Sequence, residues 1–333
     1  MDPFAPASPA SQLFTVGSAR FSELRRKPGA SGIDFAVADL TKAGRTTRAP
    51  VYGRNVRKNQ YIASVGKVAA MVACYWLRRN FRNALGSTKS SNLDAAIEEV
   101  KTRWVKNLGS YGFPDVKKIF RLSSGPGVAR AFNFSPSFHQ DLRLMVGYSD
   151  TMATGKIVNA LNLPYIAGVM NASRLYEAGK GGLYLGGDYN PRWGLSGKAD
   201  PVTGKFQAGS PLSLVDLLSR LYARSFLSSS DSTEMIELMS LGGSYSWTSS
   251  WAPKGSITRD HFGKLGIYDK SYGQQYSDAA FMHRIVNLGG KHVEIKYAIA
   301  ATKIRKLSDY GFLIKEIEYL LADAHANGPA RVI

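Results

Sequence analysis

The stretch YIASVGKVAAMVACYWL, residues 61–77, decides how this chain is read. It is an apolar run of helical length, yet it places a hydroxyl and an amine at its start, on Ser64 and Lys67. On a helix, positions three apart share a face, so the amine can reach the hydroxyl. A serine becomes a useful nucleophile when a base takes its proton. A lysine in a partly apolar cleft has a lowered pKa and can be that base. The bland alternative is a lysine that snorkels out of a buried helix. Spacing alone does not separate the two.

Working outward, helical patterning runs from near Ala63 to about residue 85. Before it, GIDFAVADLTKAG (32–44) alternates apolar and polar residues and ends in a turn at Gly44, which predicts a strand; APVYGRN predicts a second. Residues 86–125 are polar and rich in Gly, Ser and Lys, with one short helix expected at 92–107. SPSFHQDLRLMVGYSDTMATGKIVNAL (135–161) reads as a helix, a break and another helix, with Ser135 or Ser137 as N-cap. Residues 179–211, dense in Gly, Asp and Pro, read as a long loop region. SPLSLVDLLSRLYARSFL is an amphipathic helix with Ser210 as cap and Pro211 at its first position. SSSDSTEMIELMSLG starts another. The last segments, HFGKLGIYD, YSDAAFMHRIVNLGGKHVEIKYAIAAT and SDYGFLIKEIEYLLADAHANG, read as a strand, a hairpin turning at NLGGK and a closing helix.

Strands at both ends with helices between predict an α/β (α+β layered) fold: an antiparallel sheet formed from both chain ends, flanking helices and an inserted all-helical lobe. The expected division is a tail at 1–18, a sheet subdomain at 19–62 and 250–333, and a helical subdomain at 63–249. A site at the seam between two such parts is a common arrangement.

Composition narrows the function classes. The 333 residues are 44% hydrophobic and 20% charged, as in an ordinary globular chain rather than a disordered one. The single cysteine, Cys74, permits no internal disulfide and reads as a buried small hydrophobe. Lys and Arg number 43 against 25 Asp and Glu, a net charge of +18, scattered in runs no longer than three. Such a surface either is simply solvated or attracts an anionic polymer or an envelope surface. No zinc-finger spacing or RNP-like motif accompanies it, so nucleic acid is not an expected partner. The five histidines, at 139, 261, 283, 292 and 325, lack metal-ligand spacing, and neither a metal nor a cofactor is expected. There is no G-x-S-x-G elbow and no P-loop. No apolar run reaches transmembrane length, and the N-terminus lacks the basic and apolar regions of a signal peptide.

Two later elements bear on Ser64 and Lys67. GYSDTMATG places Ser149 and Asp150 at a helix break, and FGKLGIYD places Lys264, Leu265 and Gly266 on a late strand. The order S-x-x-K, S-D-x, K-x-G resembles that of the class A β-lactamases and penicillin-binding proteins. The likeness spans roughly residues 30–325. It implies a serine hydrolase or acyltransferase acting through an acyl-Ser64 intermediate on an amide, ester or lactam of a small-molecule or peptide-like substrate. It implies Lys67 as base, Ser149 as proton relay, Lys264 as electrostatic anchor, and the backbone N–H groups of Ser64 and Ile267 as oxyanion hole. An extracytoplasmic setting goes with it.

The chain departs from the pattern at Thr151, where the family has asparagine, and at Leu265, where it has threonine. Gly266 fits. Asp278, or less readily Arg284, stands near where class A enzymes carry a carboxylate-binding arginine. The acids available to activate a deacylating water are Glu177 and Asp188, neither in the family's setting, so efficient β-lactam turnover is not expected. YSD can also be read as Y-x-N-like, which would make Tyr148 rather than Ser149 the partner of the base, and Asp150 can be purely structural. A further alternative is a vestigial member that binds a ligand or partner in the same cleft without catalysis.

Overall fold

The computed structural model describes residues 14–15, 21, 24, 27, 30–42, 49–88, 93–108, 113–121, 132–187, 189, 197–241, 246–267 and 274–327. Its centre is a six-stranded sheet drawn from both chain ends. The strands run in the order Phe14–Thr15, Pro50–Arg54, Asp34–Asp39, Lys291–Ile304, Tyr276–Leu288, Ile257–Ile267. All neighbours are antiparallel except the first pair. The hairpin at NLGGK turns on Gly289 and Gly290, both with positive φ.

Successive residues of a strand face opposite sides, and here both sides are covered. Phe262, Ala279, Phe281, Ala298 and Ala300 share one core with the helices of the middle of the chain. Val37, Ala280, Met282, Tyr297 and Ile299 share a second with Leu313, Ile314 and Ile317 of the closing helix Leu307–Asn327. This explains why Tyr276–Leu288 does not show a polar face in its sequence.

The opening stretch becomes a one-turn 3₁₀ helix, Ala63–Gly66, running into the helix Lys67–Thr88. From Lys67 to Leu77 every residue is buried, so the first three turns of this helix are surrounded on all sides. Cys74 is buried within it. Around it pack Leu93–Leu108, Pro136–Gly147, Thr151–Leu161, Leu163–Ala172 and Ser229–Leu241, while Pro211–Tyr222 lies against the sheet strands Asp34–Asp39, Tyr276–Leu288 and Lys291–Ile304. Ser135 and Ser210 cap their helices through side-chain oxygens, with proline next in each case.

One expectation needs correcting. The inserted block is not all-helical. Tyr184–Leu185 and Gln207–Gly209 pair with each other, and Gln207–Gly209 with Gln60–Tyr61, while Phe120–Arg121 pairs with Asn133–Phe134 and Tyr176–Glu177 with Gly181–Gly182. Runs of two or three residues are too short to show a period-2 pattern. Phe14–Thr15, within the expected tail, lies in parallel beside Pro50–Arg54 at the sheet edge.

Candidate active site

The helix Pro136–Gly147 ends at Tyr148, and Ser149 turns the chain with φ +60° before the next helix begins at Thr151. A non-glycine residue in this left-handed region costs of order 1 kcal/mol and persists where its surroundings impose it. Here the turn aims both oxygens of Ser149 at Lys67. The Lys67 Nζ donates to the Ser149 carbonyl at 2.6 Å and to its hydroxyl at 3.4 Å. Tyr148, by contrast, is 51% exposed, so Ser149 is the residue of this turn that meets the lysine. Asp150 caps the helix Thr151–Leu161 by accepting from the Ala153 N–H at 2.7 Å, and Thr151 is exposed on its first turn.

Lys67 is 1% exposed, and its Nζ lies 5.4 Å from the centroid of the Tyr189 ring, a cation–π distance. Burial lowers its pKa to about 8, against which the nearby Asp150 charge raises it. Lys264, on the strand Ile257–Ile267, is also 1% exposed, and its Nζ has no hydrogen-bond partner among the described residues. Burial, followed by the positive charge of Lys67, lowers its pKa to about 7. The site therefore holds two amines that are easily deprotonated near neutrality.

Ser64 sits on the 3₁₀ turn one residue after Ala63, which has φ +46°. Its backbone N–H belongs to the first turn of a helix, where no intrahelical acceptor exists. The strand carrying Lys264 touches this turn. A Cβ at Gly266 would lie 2.3 Å from the Ile62 carbonyl oxygen, 2.7 Å from Ser277 Oγ and 3.1 Å from Ala63 Cβ, so only glycine fits. On the next strand, Ser277 pairs with Gly266, and its buried hydroxyl donates to the Ile62 carbonyl at 2.7 Å. The turn bearing Ser64 is thus fastened to the strand end that bears Ile267, itself 54% exposed at the cleft edge.

With this geometry in place, the architecture can be compared. A β-lactamase from Chitinophaga pinensis aligns over 92% of this chain and 98% of its own with a TM-score of 0.51 at 14% identity. The fold is that of the class A β-lactamases. The class A enzyme described as the last common ancestor of Gram-negative bacteria aligns over 91% of this chain and 99% of its own, with a TM-score of 0.50 at 12% identity. No family model matches the sequence, and no curated protein does. At these identities the likeness is one of architecture.

Within the β-lactamase fold, several candidates fall away from the cleft. Leu265 alternates to the sheet face opposite Lys264 and pairs with Asp278. The Asp278 carboxylate is buried on that face, where it accepts from the Thr248 N–H and hydroxyl and from Ser246 and Tyr310. Burial still raises its pKa to about 6. Arg284 is fully buried, donates to the Thr248 carbonyl and pairs with Glu318 at 2.7 Å. Neither residue is available to a substrate carboxylate. Glu177 is exposed, pairs with Lys180 at 2.5 Å, and lines a cavity to which neither cleft lysine contributes. Asp188 lies outside the described residues. Among the described residues no cluster of His, Cys, Asp and Glu could hold a metal ion, and no helix is long and apolar enough to cross a membrane.

Sequence reasoning missed Ser277 and Tyr189. Ser277 lies in the quoted YSDAAFM, but its role depends on register, which no local pattern reveals. Tyr189 lies in the stretch read as loop.

Proposed function

We propose that this protein is a serine acyl-transfer enzyme in which Ser64 is the nucleophile and Lys67 its base. The observation that carries the reading is the buried Lys67 amine at the start of the central helix. It is held by Ser149 one helical turn from Ser64, with the second buried amine of Lys264 nearby. In this reading the neutral Lys67 accepts the Ser64 proton as Oγ attacks the acyl carbon. The N–H groups of Ser64 and Ile267 receive the developing oxyanion. Ser149 passes a proton to the leaving group, which departs as its bond to the acyl carbon breaks and the ester to Ser64 remains.

The substrate is an amide, ester or lactam of a small-molecule or peptide-like donor. Glu177 and Asp278 are both engaged elsewhere, and if no other carboxylate activates water the acyl-enzyme is long-lived or is resolved by another acceptor. The basic surface suits a substrate held on an anionic polymer or envelope surface.

The test is covalent labelling with a fluorophosphonate and with a fluorescent penicillin, with the adduct located by mass spectrometry. An adduct on Ser64 that is absent from Ser64→Ala supports the reading. A second reading, a non-catalytic binding cleft, is favoured by one observation: among the described residues no hydrogen bond joins the Ser64 hydroxyl to Lys67. Folded protein that takes no adduct from either probe would establish that second reading instead.

A further inference from the structure

Three arginines from three separate segments converge on one cavity of about 470 Å³, distinct from the Ser64 cleft. Arg57 comes from the turn after Pro50–Arg54, Arg174 from the turn after Leu163–Ala172, and Arg220 from the helix Pro211–Tyr222. Lys180 joins them on the wall, with Glu177 and Asp216 as the only carboxylates among its lining residues.

The pairing is uneven. Glu177 is taken by Lys180 at 2.5 Å and Asp216 by Arg220 at 2.5 Å. Arg220 is 5% exposed and is fixed further by donating to the Ser173 carbonyl at 3.0 Å. Arg57 and Arg174 are both exposed and have no ion-pair partner among the described residues. The wall therefore carries an excess of two positive charges over a concave surface, where low-dielectric walls focus the field. Arginine's planar fork matches phosphate and carboxylate oxygens in bidentate geometry. The volume falls in the range of small-molecule sites.

We propose that this cavity binds a small phosphate monoester, with Arg57 and Arg174 gripping the phosphate and the Arg220–Asp216 pair forming a rigid charged floor. A phosphate monoester carries close to two negative charges at neutral pH, which matches the excess on the wall. The binding is non-covalent and independent of Ser64.

Phenyl phosphate is the probe. It is titrated into the full chain by isothermal calorimetry, and melting temperature is followed in parallel, both at ionic strength held constant with sodium chloride. The expected result is saturable binding near one equivalent and a melting temperature that rises with ligand. The expected loss in Arg57→Gln/Arg174→Gln is at least tenfold in affinity. Both residues are exposed, so these substitutions leave the buried floor intact, and an unchanged melting temperature without ligand checks this. Absence of saturable heat, or equal binding by the double variant, overturns the proposal. Ser64→Ala binding as tightly as the unmodified chain separates this site from the cleft; competition with it would overturn the assignment.

Discussion

Ser277 ties the sheet to the turn of Ser64: its hydroxyl donates a 2.7 Å hydrogen bond to the carbonyl of Ile62, two residues before the proposed nucleophile. Removing the hydroxyl leaves the Ile62 carbonyl with the Val65 N–H at 3.1 Å as its remaining donor, and the loss of one of two hydrogen bonds costs about 1 kcal/mol. Ser277→Ala is expected to lower the urea midpoint accordingly and to slow fluorophosphonate labelling of Ser64 by about tenfold, the effect of about 1.4 kcal/mol on a barrier. Ser277→Thr, which keeps the hydroxyl, should recover most of the labelling rate. An alanine variant that labels at the original rate would show that the bond holds the fold but not the nucleophile.

Gly266 is the other half of this joint. A side chain there meets backbone, since its Cβ would come within 2.3 Å of the Ile62 carbonyl oxygen. Gly266→Ala should separate the strand from the turn, lower the melting temperature by several degrees and cut Ser64 labelling by at least a hundredfold. The check is labelling at a temperature where circular dichroism shows the variant fully folded.

The two lysines give the site a pH dependence of defined sign. With Lys67 near 8 and Lys264 near 7, acylation should rise with pH through this window and level above it, as the base loses its proton. Stability follows the same direction. Unfolded, both titrate near 10.5, so between about 7 and 10.5 the unfolded chain binds more protons and folding gains as pH rises. Below about 7 the penalty of two buried ammonium groups is complete. Lys264→Met should therefore raise the melting temperature at pH 6 while reducing labelling. Asp150→Asn should keep the helix cap, since asparagine caps as well as aspartate, but remove the charge that raises the Lys67 pKa. The labelling profile then moves to lower pH. A profile that stays in place would remove Asp150 from the electrostatics of the cleft.

Arg284 and Glu318 form a fully buried ion pair on the far face of the sheet. Arg284→Met leaves Glu318 buried without its counter-charge, an expected loss of about 3–5 kcal/mol. The same variant, kept folded at low temperature, should label at the original rate, because the guanidinium does not reach the cleft. A selective loss of penicillin labelling would return Arg284 to the substrate site.

Much of the architecture was legible because it rests on local signals. A serine-proline pair marked one helix start and a capping serine another, a double glycine marked the hairpin, and the apolar run marked the central helix. The sheet could be inferred from strands at both ends, but its registers could not. Those registers place Ser277 beside Gly266 and turn Asp278 and Arg284 away from the cleft. The site was legible to the extent that type and order carry it: hydroxyl, amine, hydroxyl, amine. What stayed hidden depends on backbone conformation and long-range packing. The left-handed turn at Ser149 aims its oxygens at Lys67, and Tyr189 covers the amine from a stretch with no periodicity. The unpaired burial of Lys264 likewise becomes visible only once the strand is set against the central helix.

The sheet's assembly from both chain ends also bears on biosynthesis. Ser64, Lys67 and Ser149 leave the ribosome long before residues 257–304, whose strands complete the sheet. Contacts so distant in sequence form late, so a growing chain carries the serine without the strand edge that backs it. In the proposed reaction Ser64 would become reactive only once residues 257–304 have been made, which would spare the growing chain premature acylation.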